Sequence, residues 1–157
     1  MIVMDVNVLS FHLIDGKRTP ETHALKKVDA EWIVPPFWRV EFQSILWKYV
    51  RFGGMPAETA LELLGQAMTM LSLNEVAPPP DMVLRDALKR GITVYDAQYV
   101  SLAGYLGVRC VTEDVPLQKS CADIAISLED FLEQASEGNV VREPKTAYGS
   151  RKRKVKG

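Results

Sequence analysis

Short apolar runs alternate along the chain with longer stretches in which apolar residues recur every three or four positions. The short runs predict buried β-strands, and the longer stretches predict amphipathic helices. Four runs have a clear strand pattern and a fifth has a weaker one: residues 2–4, 32–34, 109–112 and 124–126, and then 73–76. Strands that alternate with helices predict a parallel sheet that is covered on both faces.

The helical stretches refine this picture. The first helix is expected to begin at Asn7, and a long one carries apolar residues at helical spacing from Trp38 to Tyr49. Another is expected over residues 96–106, and Ser127, with Asp130 three residues later, predicts the cap of the last. The predicted fold is a three-layer α/β/α sandwich around a central, mainly parallel sheet of four to five strands.

The length of the chain suits one domain. Its 157 residues are 47% hydrophobic and 25% charged, which is enough for a substantial core. The periodic pattern stops near Gly138, so residues 1–138 are expected to form the domain and residues 139–157 a basic tail. No apolar run is long enough to cross a bilayer, and the N-terminus lacks a signal-peptide pattern, so a cytoplasmic protein is expected.

The net charge of −1 conceals a strong asymmetry. Residues 142–157 contain seven Lys and Arg and a single acid, whereas residues 1–141 contain 12 basic and 19 acidic residues. The two cysteines and two histidines match neither a disulfide framework nor a zinc site. Hydrolytic chemistry in this chain would therefore have to use carboxylates.

Four acidic residues stand where a parallel sheet gathers functional groups. Asp5 ends the first strand, Asp114 follows the strand over 109–112, Asp96 begins a helix, and Glu41 lies on the long helix. Two carboxylates about 5 Å apart repel by roughly 3 kcal/mol at an effective dielectric of about 20. A cluster of four would need protons or a cation, and Mg²⁺ or Mn²⁺ suits oxygen ligands.

Each acid also has a purely structural interpretation. Asp5 and Asp96 can cap helices, because Asp is a preferred N-cap residue. Asp114 can be a turn residue, and Glu41 can be an exposed helix residue. The joint placement of the four acids, rather than any one of them, favours a shared site.

Four segments set these acids in recognisable surroundings: VMDVNVL at 3–9, VEF at 40–42, YDAQYVSLA at 95–103 and VTEDVPL at 111–117. In this order they resemble the acidic motifs of PIN-domain ribonucleases, particularly the VapC toxins of toxin–antitoxin pairs. The resemblance covers residues 1 to about 132. Four motifs in family order are far more specific than one.

The resemblance implies a catalytic set of acids, a divalent metal ion, Mg²⁺ or Mn²⁺, and two supporting polar residues. The catalytic acids are Asp5, Glu41, Asp96 and Asp114, the metal ligands among them are Asp5, Asp96 and Asp114, and the supporting residues are Asn7 and Thr112. Glu113 departs from the family pattern. It is expected to face solvent rather than to join the site as a fifth acid.

The resemblance further implies an endoribonuclease that hydrolyses phosphodiester bonds in RNA, is inhibited by an antitoxin and commonly forms a homodimer. Trp38, Trp47, Tyr49 and Phe52 on the long helix offer an apolar interface. Burial of these aromatic residues in the core is, however, the favoured interpretation.

Three alternatives remain open. A PIN-type nuclease can mature or survey RNA without an antitoxin, and a catalytically silent module can keep the fold and bind RNA or a partner. A receiver-like phosphoacceptor domain also collects acids at strand ends, but it needs adjacent acids after the first strand and a lysine after the last. Met4-Asp5 and Ile126-Ser127 supply neither.

The basic tail offers contacts to RNA phosphates, with a solubilising terminus as the alternative. The candidate residues are Arg151, Lys152, Arg153, Lys154 and Lys156. Deletion of residues 151–157 should reduce the slope of log Kd against log salt concentration in RNA titrations. An unchanged slope would leave the tail without a part in RNA binding.

Overall fold

The computed structural model describes residues 1–138, in which the strands form one parallel sheet. The strands are β1 (Ile2–Met4), β2 (Trp32–Ile33), β3 (Cys110–Val111) and β4 (Ala125–Ile126), and their order in the sheet is β2-β1-β3-β4. Every pairing is parallel. The predicted α/β class with a parallel central sheet is therefore confirmed.

Eight helices flank the sheet within the described residues. They are α1 (Val6–Leu13), α2 (Thr19–Val28), α3 (Trp38–Gly53), α4 (Ala57–Leu71), α5 (Pro80–Arg90), α6 (Val94–Leu106), α7 (Val115–Ser120) and α8 (Leu128–Ser136). Helix α6 packs on β1 and β3, α5 packs on α6, and α3 packs on α1 and α4. No helix within residues 1–138 is long and apolar enough to cross a membrane.

The core is built from the short strands and the inner faces of these helices. Val3, Met4 and Val111 are completely buried, as are the large side chains of Trp38 and Phe42 on α3. A strand buried on both faces reads as a continuous apolar run, which is why three residues suffice to identify β1.

Several predicted boundaries differ from the structure. Helix α1 begins at Val6 rather than at Asn7, and α6 begins at Val94 rather than at Asp96. Helix α7 was not predicted, because its six residues are too few to show a period. The weak strand over 73–76 is reduced to a single parallel bridge between Val34 and Glu75.

The expected burial of the α3 aromatic residues is correct for only one of the four. Trp38 is buried in the core, whereas Trp47, Tyr49 and Phe52 are 58%, 42% and 75% exposed. The predicted basic tail, including residues 151–157, lies outside the described residues.

Glu75 ties the loop after α4 to the start of α3. Its carboxylate accepts a hydrogen bond of 2.6 Å from the indole Nε1 of Trp38 and bonds of 2.5 and 2.9 Å from the guanidinium of Arg39. The Arg39 hydrogen bond and charge hold the pKa of Glu75 below its usual value. The bridge to Val34 lies at the same point, so the side chain and the backbone act together.

Replacement Glu75→Ala should lower the free energy of unfolding by about 1–3 kcal/mol, because the buried indole N–H of Trp38 would lose its acceptor. Glu75→Gln keeps an acceptor and should cost less. Urea unfolding at neutral pH measures both, with Glu62→Ala on the exposed surface of α4 as the control. A loss in Glu75→Ala no larger than that of the control would contradict this account.

Candidate active site

Asp5 is buried at the carboxyl edge of the sheet. Its amide donates to the carbonyl of Val111 on β3 at 3.0 Å, which fixes the end of β1 beside the end of β3. Asp5 occupies the N-cap position of α1, but its side chain makes no capping hydrogen bond. The carboxylate instead accepts from the hydroxyl of Thr112 at 2.6 Å. The backbone amides of Val6 and Asn7, in the first turn of α1, also lower the pKa of this carboxyl group.

Burial also sets the protonation behaviour of Asp5. The residue is only 6% exposed, and this loss of solvent raises the pKa of its carboxyl group. The hydrogen bond from Thr112 lowers the pKa, whereas the charge of Asp96 raises it further. Asp5 is thus held in place by a neutral donor and is not neutralised by any cation that contacts it among residues 1–138.

Thr112 connects Asp5 to Asp114. Its buried hydroxyl donates to Asp5 and accepts the Asp114 amide at 3.1 Å. One carboxylate oxygen of Asp114 accepts the amide of Leu117 at 2.7 Å, so Asp114 caps the short helix α7. The structural alternative for Asp114 was a turn residue, and the structure shows a helix cap instead. A single hydroxyl thus sets the spacing between two acids.

Glu41 is paired with a buried tyrosine. The phenol of Tyr99, 2% exposed, donates a short hydrogen bond to the Glu41 carboxylate. Burial raises the pKa of Glu41 to about 7; the Tyr99 bond opposes this rise, and the charges of Asp5 and Asp96 add to it. Burial and the Glu41 charge raise the pKa of Tyr99, so that the phenol remains a donor.

Asp96 lies in the first turn of α6, where Thr93 is the cap residue. The Asp96 amide donates to the Thr93 hydroxyl at 3.1 Å, and that hydroxyl donates to the Asp96 carboxylate at 2.7 Å. The structural alternative, in which Asp96 itself caps the helix, is therefore wrong. Its place three residues inside the cap directs its carboxylate to the same cleft as the other acids.

The predicted acids all line one cleft of about 220 Å³. Asn7 lines it as well, and Thr112 lies directly behind Asp5. The sequence-predicted residues of the domain are thus brought together, whereas the predicted RNA-binding residues of the tail lie outside the described residues. The remaining described lining residues are Val6, Ser44, Ile45, Lys48, Tyr99 and Leu117.

Glu113 neither faces solvent freely nor lines the acidic cleft. Its carboxylate accepts from Arg18 at 2.6 Å and from the Leu128 amide at 2.7 Å, and its side chain is 18% exposed. The expectation of a solvated Glu113 is wrong, because the N-terminus of α8 and a guanidinium both hold it. Glu113 anchors the loop that carries Asp114.

Known proteins resemble this chain in sequence and in fold. No family model matches the chain. Exonuclease VapC9 of Pyrobaculum aerophilum is 38% identical over 92 residues, which make up 59% of this chain and 68% of that protein. The chain belongs to the VapC family. The resemblance to PIN-domain ribonucleases that the four motifs indicated is thereby confirmed.

Two further comparisons extend the similarity over more of this VapC-family chain. Ribonuclease VapC3 of the same organism is 27% identical over 117 residues, covering 72% of this chain and 88% of that protein. The crystal structure of PAE2754 from Pyrobaculum aerophilum matches with a TM-score of 0.66 and 26% identity, covering 87% of this chain and 96% of that one.

The donor atoms in this VapC-family cleft suit a hard divalent cation. Glu41, Asp96 and Asp114 each keep one carboxylate oxygen that accepts no hydrogen bond from residues 1–138. Within those same residues, no group of three or more His, Cys, Asp or Glu side chains is already arranged to hold an ion. The chemistry of the donors therefore fits a metal, and binding would require the side chains to adjust.

Tyr99 and Lys48 line the cleft as well, although the acidic motifs do not indicate them. Both have a signal in helical spacing: Tyr99 follows Asp96 by three positions, and Lys48 follows Glu41 by seven. Residues at these spacings share a helix face. The four motifs indicate only acids, whereas Tyr99 and Lys48 belong to the cleft through the helix faces that they share with Asp96 and Glu41.

Replacement Glu41→Gln should stabilise the protein relative to the wild type increasingly as pH rises from about 4.5 to 7. The folded-state pKa of Glu41 lies near 7, above the ordinary 4.5, so the unfolded chain ionises first and the wild type loses stability across this window. Urea unfolding at several pH values in a chelating buffer measures the difference. Glu62→Gln serves as the control for loss of a surface charge, and a pH-independent difference for Glu41→Gln would contradict the explanation.

Proposed function

We propose that this chain is a metal-dependent endoribonuclease that hydrolyses phosphodiester bonds in RNA. The observation that carries the proposal is the convergence of Asp5, Glu41, Asp96 and Asp114 on one cleft at the carboxyl edge of a parallel sheet. The relatives named exonuclease VapC9 and ribonuclease VapC3 support a nuclease. A set of acids without a catalytic His or Cys suits chemistry that depends on Mg²⁺ or Mn²⁺.

Within this proposal Asp5 and Asp96 are the preferred candidates for direct metal ligands, and Asp114 and Glu41 complete or orient the site. A bound divalent ion would lower the pKa of a water molecule and offset negative charge on the reacting phosphate. Thr112 keeps Asp5 and Asp114 at a fixed spacing through its two hydrogen bonds. Asn7, exposed at the mouth of the cleft, supplies a further polar group.

We further propose that the chain is the toxin of a toxin–antitoxin pair, as the names of its VapC relatives support. The antitoxin would cover the acidic cleft with a segment that carries a basic side chain, for which four carboxylates form a complementary surface. A homodimer is supported by the exposed aromatic residues Trp47 and Phe52, which have no partner in the core.

The purified chain should cleave RNA in the presence of Mg²⁺ or Mn²⁺, and a chelator should abolish cleavage. Asp5→Asn and Asp96→Asn should each reduce the rate by at least about 100-fold, since even groups that only orient metal ligands cost 10- to 100-fold. A circular RNA substrate decides between endonucleolytic and exonucleolytic action, because it has no ends. Sequencing of the cleavage ends in total RNA then identifies the target.

Asp15→Asn, an exposed acid outside the cleft, is the matched control and should keep wild-type activity. Thermal unfolding must show that the inactive variants are folded. Substantial cleavage by folded Asp5→Asn, or full activity in excess chelator, would refute the metal-dependent mechanism.

A further inference from the structure

One face of α3 carries four side chains of different chemistry in a line along the cleft: an aromatic ring, a carboxylate, a hydroxyl and an ammonium group. Phe37, Glu41, Ser44 and Lys48 are spaced by four, three and four residues, which places them on the same side of a helix. The line is about 16 Å long at 1.5 Å per residue. Glu41, Ser44 and Lys48 line the cleft itself. The catalytic acid therefore has an aromatic ring on one side and a cation on the other.

Lys48 is the one basic residue among the described residues that line the cleft. It is exposed and forms no ion pair with any of residues 1–138. An ammonium group that is not engaged by the surrounding acids is available to an anionic ligand. Its position, two helical turns from Glu41, separates it from the proposed reaction centre.

The opposite end of the line is an aromatic pair. The rings of Phe37 and Tyr95 stack with their centroids 5.2 Å apart and their planes at 16°. The Phe37 carbonyl accepts the Glu41 amide, and Tyr95 directly precedes Asp96, so the pair joins the two helix ends that carry these acids. Tyr95 is 62% exposed, so the stack does not belong to the core.

We propose that RNA lies along this face of α3, with an unpaired base stacked on Tyr95 and a phosphate bound by Lys48. The inference rests on the proposed nuclease function and names the contacts that hold the strand over the acids. Aromatic stacking and a cation that follows the backbone are the two devices by which proteins hold single-stranded nucleic acid. Since the domain is acidic overall, a local cation is needed where the strand passes the four carboxylates.

Binding is tested with the full chain in an Asp5→Asn background, using a short unstructured oligoribonucleotide that carries 2-aminopurine. Fluorescence quenching reports stacking, and titrations at several salt concentrations give the Kd and its salt slope. The variants are Tyr95→Leu, Tyr95→Phe and Lys48→Gln. The controls are Tyr105→Leu, an exposed tyrosine at the other end of α6, and Lys89→Gln, an exposed lysine on α5.

The two ends of the line should give different signatures. Tyr95→Leu should raise the Kd about tenfold and relieve quenching, with little change in the salt slope, whereas Tyr95→Phe keeps the ring and should bind like the parent. Lys48→Gln should reduce the slope of log Kd against log salt by about 0.7, the value for one phosphate contact to a single strand. The two controls should match the parent in both readouts.

Parent-like affinity and quenching in Tyr95→Leu, or a parent-like salt slope in Lys48→Gln, would overturn the proposed path. Cleavage assays with Asp5 intact separate this inference from the function on which it rests. Cleavage that does not depend on Tyr95 or Lys48 refutes the path and leaves the nuclease. Binding that depends on both residues, in a chain that cleaves no RNA, supports the path and refutes the nuclease.

Discussion

The buried hydrogen bond from Thr112 to Asp5 is the interaction on which the site depends. Parallel pairing places the end of β1 beside the end of β3, and Asp5 and Thr112 are the residues that directly follow these strands. A buried carboxylate is costly unless it is hydrogen-bonded, and this hydroxyl supplies the bond from within the fold. The same oxygen accepts the Asp114 amide, so the sheet register also fixes the second acid.

The buried acids of the cleft lower the stability of the fold, although the proposed function needs them. Burial, and to a smaller extent the charges of neighbouring acids, raises the pKa of the Asp5 and Glu41 carboxyl groups and so makes their ionised forms unfavourable. The phenol of Tyr99 relieves part of this cost for Glu41 without adding positive charge. The cleft therefore keeps its negative potential. That potential would attract a divalent cation, and a cleft neutralised by basic side chains would lack it.

The elements that lie deepest were predictable from the sequence, and those that depend on local hydrogen bonds were not. The apolar run of β1 and the helical spacing of apolar residues in α3 indicate which positions are buried, and this pattern can be read from the sequence alone. Thr93 rather than Asp96 caps α6, and Glu113 pairs with Arg18 instead of facing solvent. Both outcomes depend on which of several nearby groups forms the hydrogen bond. The four motifs indicate the acids, and helical spacing places Tyr99 on the same face as Asp96. The bond from Tyr99 to Glu41 was not predictable, because it joins two different helices, α6 and α3.

If the proposed function holds, this acidic domain must separate the charges that would hold a metal from the charges that would hold the RNA. In this chain the separation follows a helix: Glu41 lies between the ring of Phe37 and the ammonium of Lys48. A cation placed directly among the acids would neutralise them, whereas one two turns away leaves their field intact and still meets a passing phosphate. In the proposed path, a ring on the other side would hold a base without any charge, so a strand would be bound across the acidic site without the site losing its negative potential.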